Sequence, residues 1–185
     1  MRRIMLVTAV MATLAAGVPA IAWSGDMIPE VRPFVGAFFP TGAQRVVLDD
    51  ALLVGGQGGI EMADALHLVG TLAWAPHRTS KGACVYNYDV GVETFRSFDM
   101  NARWQARPFV GAGLGGRTYV DHARDDHRET NFLGYAALGT ELQHEKLALR
   151  VEGRDYISRF KGLSGELEAD TRQDIAVVAG LAFHW

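Results

Sequence analysis

Cysteine is nearly absent from this chain. One residue, Cys84, stands among 185, so no disulfide can form within it and stability must come from elsewhere. A lone thiol with no motif around it reads as a tolerated residue, not as a reactive group. Charge of one sign is lacking too. The formal net charge is −3, which favours no nucleic-acid partner. Beyond the N-terminal 25 residues no apolar run approaches the ~20 residues that a helical membrane span needs. Lysine is scarce, with three residues against fifteen arginines. Glycine is plentiful instead, 21 residues, many of them inside apolar stretches. Interior glycine costs a helix roughly 1 kcal/mol relative to alanine, so a helical protein is excluded.

The N-terminus reads as an export signal. MRRIMLVTAVMATLAAGVPAIAWSG has two arginines, a short apolar run, a Gly-Val-Pro break and the small-residue site Ala20-Ile21-Ala22. Residues 1–22 are the expected signal peptide and 23–185 one mature domain. No cysteine follows the cleavage site, so a lipoprotein signal is not indicated.

The rest of the chain alternates with period two in eight segments: about 31–39, 52–62, 65–75, 85–98, 103–120, 131–143, 146–160 and 171–185. Tight turns at 63–64, 99–102 and 144–145 alternate with longer polar connections at 40–51, 77–84, 121–130 and 161–170. Short turns on one side and long loops on the other predict an all-β fold. It is a closed antiparallel eight-stranded up-and-down transmembrane β-barrel, its turns and both termini on one, periplasmic, side of a bacterial outer membrane. The hexapeptide RPFVGA occurs at 32–37 and again at 107–112, on the first and fifth segments. The repeat reads as a four-strand half written twice. Each proline removes a ladder hydrogen bond and is expected near a strand start.

Alternation assigns the two faces. One face of the last segment carries Ile175, Val177, Ala179, Leu181, Phe183 and Trp185; the other carries Arg172, Asp174, Ala176, Val178, Gly180 and Ala182. The remaining segments repeat the split between an oily face and one of charged and small residues. A soluble barrel would put its large apolar residues inside and long charged chains outside. Small residues suit a narrow interior, so the oily face is expected to lie outside and the interior to be polar and tightly filled. Phe98, Trp104 and Trp185 fall at one set of strand ends, and Phe39, Trp74, Tyr86 and Phe132 at the other, as two aromatic girdles. The inward charges are Arg32, Glu61, Asp89, Glu93, Arg103, Arg107, Arg117, Glu141, Arg150, Glu152, Arg154, Arg172 and Asp174. Basic and acidic groups nearly balance, and in so narrow a lumen they are expected to pair as a structural network.

At this point the chain resembles a family. PFVGAGLG of the fifth segment, the closing GLAFHW and the signal peptide are similar to the eight-stranded OmpA-like/OmpX-like outer-membrane barrels, over essentially the whole mature chain. The resemblance implies that Val177, Leu181, Phe183 and Trp185 form a C-terminal signal read by the barrel-assembly machinery. No peptidoglycan-binding domain follows strand eight, so wall anchoring is not implied.

Chemistry is scarce. No Ser-His pair lies on the oily face, and His67 and His184 point inward by parity. Asp121, His122, Asp125, Asp126, His127 and Glu129 crowd one loop but match no metal-ligand spacing and read as a solvated charged loop. No catalytic residue, cofactor or metal is expected. The expected role is a non-catalytic structural or surface-interaction barrel, with outer-membrane lipids and lipopolysaccharide around it, an extracellular ligand at the loops, and a monomeric state. A narrow ion or solute pore is the alternative, and a lipid-modifying enzyme the next.

Overall fold

The computed structural model describes residues 29–41, 49–63, 65–76, 83–121, 127–160 and 170–184. The expected signal peptide and Trp185 lie outside the described residues. Eight long antiparallel strands are β1 Pro29–Pro40, β2 Ala51–Ala63, β3 Leu66–Pro76, β4 Ala83–Phe95, β5 Trp104–Asp121, β6 His127–His144, β7 Leu147–Phe160 and β8 Asp170–His184. Each pairs with its neighbours in sequence, and β1 pairs with β8, which closes the barrel. Glu30 lies opposite His184, so both strand termini share one end of the barrel. That end also carries the turns β2–β3, β4–β5 and β6–β7. It is called the terminal end below, and the opposite one the loop end.

The strands form because β-branched, aromatic and aliphatic residues at alternate positions bury one face and leave the other apolar. They outrun the expected bounds at one hairpin. Asp121 pairs with His127 and Val120 with Arg128, so β5 and β6 replace much of the loop expected at 121–130. Thr118, Tyr119 and Val120 against Arg128, Glu129 and Thr130 alternate like any strand pair, which outweighs the charges nearby. Residues 122–126, with half of the suspected cation cluster, lie outside the described residues. The last tight turn is Glu145-Lys146, one residue later than expected, and Glu145 takes a left-handed φ of 56° there.

Both copies of RPFVGA act on the ladder in the same way. Between β1 and β8 the pairing runs to Val31↔Phe183 and resumes at Phe34↔Gly180, skipping Arg32-Pro33. Between β4 and β5 it runs to Phe95↔Phe109 and resumes at Phe98↔Ala106, skipping Arg107-Pro108. The second gap ends the expected fourth strand at Phe95 and leaves Phe98–Asp99 as a separate two-residue strand. Proline has no N–H to return: Arg96 N donates to Pro108 O at 3.0 Å, and no bond comes back.

The phenylalanines repeat as well. Phe34 lies opposite Gly55 and Phe109 opposite Gly139. A Cβ on either glycine would stand 2.5 Å from the ring's Cζ. Each ring therefore lies across a glycine of the next strand, covering backbone that has no side chain of its own.

Candidate functional site

The outward face carries Leu138 at 68% exposure, Phe132 at 64% and Leu114 at 61%, with Val31, Leu52, Val90, Val110, Leu149, Ile157, Val177 and Leu181 also exposed. Inward positions are buried in turn along every strand. Phe183, Val177 and Leu181 of the expected assembly signal all face outward.

The lumen has two halves of different chemistry. Toward the terminal end, one continuous chain of ion pairs crosses it. Arg32, from β1, pairs with Glu30 and reaches Glu93 of β4 at 2.8 Å. Arg150, from β7, meets Glu93 at 2.7 Å, Glu141 at 2.6 Å and Glu152 at 2.9 Å. Arg154 pairs with Glu152 and reaches Asp89 at 3.2 Å. Gln57 Nε2 donates to Glu152 at 3.1 Å. The two repeat arginines converge from opposite walls: Arg32 and Arg107 each stand 3.8 Å from Glu141, and both lie over the Phe95 ring. Buried carboxylates and guanidiniums balance at six each among the described residues. Burial of an unpaired ion costs several kcal/mol, so this balance is what makes so charged an interior tolerable.

At the terminal mouth His67 is buried against Phe95, ring centroids 4.5 Å apart. Its Nδ1 is 3.3 Å from Glu30 and its Nε2 is 3.4 Å from Arg107 Nη2. Arginine only donates, so Nε2 accepts and the Nδ1–H donates to the Glu30 carboxylate. These contacts give the imidazole no hydroxyl or thiol to activate. Among the described residues no three His, Cys, Asp or Glu side chains stand where they could hold a metal ion.

Toward the loop end the interior differs from the polar filling expected. Phe38, Leu53, Ala75, Val85, Tyr119, Leu133 and Tyr156 form a buried cluster there. One ionic crossbar runs through it. Arg117 of β5 pairs with Asp174 of β8, donates from Nε to Asn87 at 2.7 Å, and lies 5.1 Å from the ring centres of both Phe38 and Tyr156. Thr41 backbone N–H donates to Asp174 at 3.2 Å, which ties the end of β1 to the same carboxylate. Large apolar side chains fit because the guanidinium supplies a flat, weakly hydrated surface on which aromatic rings stack.

Most of the expected inward charges are therefore in the lumen, Arg172 among them as a buried side chain. Two are not within it. Arg103 lies before β5 begins, in an exposed turn where its N–H and that of Trp104 each donate to Asn101 Oδ1 at 3.0 Å. Glu61 sits at the terminal rim with a side chain 32% exposed, 3.9 Å from His67. Glu30 was missed because β1 begins earlier than expected; one more step of the alternation back from Arg32 reaches it.

No protein-family model matches the chain, and no curated protein matches it in sequence. Solved structures do match. Neisserial surface protein A superposes with a TM-score of 0.62 at 12% identity, over 84% of this chain and 96% of that one. The outer membrane protein OprG from Pseudomonas aeruginosa gives 0.55 at 13%, over 85% and 96%. The N-terminal β-barrel domain of Pseudomonas aeruginosa OprF gives 0.51 at 15%, over 85% and 97%. At such identities the likeness is one of fold.

Proposed function

We propose, for this barrel of the small eight-stranded outer-membrane type, a non-catalytic integral outer-membrane protein with a closed lumen. The observation that carries the reading is the outward belt. Water would face exposed side chains such as Leu138, Phe132, Leu114, Val90 and Leu52 around the barrel, far more contiguous apolar surface than a soluble monomer shows. In lipid the same belt is satisfied, and closure leaves no strand edge unpaired. The filled lumen supports a plug over a pore: its charges are paired in one half, and the other half is packed with rings and aliphatic chains.

On this reading residues 1–22 export the chain and are removed. The terminal end faces the periplasm, and the four longer connections face the outside, where any extracellular ligand would bind. Val177, Leu181 and Phe183, with Trp185, are proposed as the segment that the assembly machinery reads, and the barrel as a monomer in outer-membrane lipid.

The test is refolding of the mature chain in detergent and in lipid vesicles. The expected result is a β-rich circular dichroism spectrum, heat-modifiable gel migration, no conductance steps in planar bilayers and unaltered phospholipid and lipid A after incubation. A chain that stays folded and soluble without detergent would overturn the membrane reading. Discrete conductance steps would replace the plug with a pore.

A further inference from the structure

One part of the outward belt is not simply oily. Trp74, Tyr86, Thr118 and Thr130 lie opposite one another in a single row across β3, β4, β5 and β6. Trp74 and Tyr86 stack, with centroids 6.5 Å apart and planes 18° apart, and both are exposed. Thr118 and Thr130 hydroxyls are 2.9 Å apart, and Tyr88 reaches from the row below to within 3.5 Å of Thr118. Tyr88 manages this because its ring lies across Gly116, where a Cβ would stand 2.5 Å from the ring carbons. In the row above, on the loop-end side, Arg128 is exposed and shares the outward face with Thr130. In the row below, Phe132 stands out into the belt.

Along the barrel axis, then, the order is a guanidinium, a row of hydroxyls beside flat aromatic faces, and an apolar surface. We infer that this patch on β3–β6 holds the headgroup of a phosphorylated glycolipid, its phosphate on Arg128, its sugar on the hydroxyl row and the Trp74–Tyr86 faces, and its acyl chains over Phe132. Guanidinium matches phosphate geometry and charge. Aromatic faces with a wet edge suit the membrane–water boundary, where sugar C–H groups can lie on them. A second copy packed by twofold symmetry would set the patch against itself and bring Arg128 toward its own counterpart, which disfavours that occupant. The inference rests on the membrane reading above, since it needs the loop end to face a glycolipid leaflet.

The test uses the refolded mature chain in phosphatidylcholine vesicles doped with lipid A, with dephosphorylated lipid A, or with phosphatidylglycerol. The lipid carried per barrel after mild detergent extraction is read by native mass spectrometry. Wild type should retain lipid A in preference to both other lipids. R128Q should lose about tenfold of that retention, the size of one charge-assisted hydrogen bond, and only for the phosphorylated form. W74L/Y86L should lose retention of both forms. T130V, a mild surface change, covers the case in which the double variant does not fold. Equal retention by wild type and R128Q, equal retention of phosphatidylglycerol and lipid A, or dimers that vanish in the variants would each overturn the site. A wild-type barrel that enters none of the vesicles would sink the membrane reading itself.

Discussion

Arg150 is the residue on which most of the lumen's charge converges. Three carboxylates, Glu93, Glu141 and Glu152, lie within 2.9 Å of it, and the Phe109 ring lies 3.6 Å from its guanidinium carbon. Arg150→Met should take one buried partner from each of those three carboxylates and cost about 3–5 kcal/mol, read as a lower urea midpoint of the detergent-folded barrel. E93Q should cost less, because Arg32 and Arg150 each keep another acidic partner. Gly139 gives a second residue-scale test. A methyl there would meet Val151 O at 2.3 Å as well as the Phe109 ring. Gly139→Ala should therefore destabilise by about 1–3 kcal/mol, and F109L should recover only the ring's part of that loss, in the same urea experiment. The charges were legible in the sequence because arginine and glutamate at alternate positions of an oily strand have only one face to occupy. Leu53, Tyr119, Leu133 and Tyr156 were not, since parity gives their direction but their chemistry is that of the outer face. What admits them is the Arg117 crossbar, whose flat faces cannot be seen without the fold.

At the scale of the strand, the two Arg-Pro steps matter more than any single side chain. Each opens the ladder toward the strand before it around the barrel, and each arginine then leans into the lumen toward Glu141. Pro33→Ala and Pro108→Ala restore one N–H apiece. The expected outcome is a new amide protected from hydrogen exchange at each site, with a net stability change below about 1 kcal/mol, because the added bond offsets the looser unfolded chain. Unprotected amides at both positions would mean that something other than the missing donor spreads the strands. Strand existence and facing were legible from period two. The break after Phe95 was not, because it is caused by Pro108 on the neighbouring strand, and nothing near residue 96 announces it. Arg103 shows the converse: parity carried it inward, but Asn101 caps the turn and ends the alternation first.

The whole molecule presents an oily exterior and a lumen that is ionic at one end and aromatic at the other. If β8 carries the assembly signal, Trp185→Ala should slow insertion in an assembly assay while leaving the urea midpoint of the folded barrel within about 1 kcal/mol of wild type. Normal assembly kinetics in that variant would remove the signal.

The proline gaps also bear on where the chain could be cut. In the natural order the seam closed by the two terminal strands, β1 with β8, is one of the two loosened ladders; the other, β4 with β5, lies half a turn around the barrel. A circular permutant opened in the exposed turn at 100–103, with Pro29 and His184 joined by a short linker, would begin at the second RPFVGA and again close on a loosened seam. Such a rearranged chain is expected to regain the same heat-modifiable barrel, whereas one opened between β6 and β7 would have to close on an uninterrupted ladder and should refold more slowly.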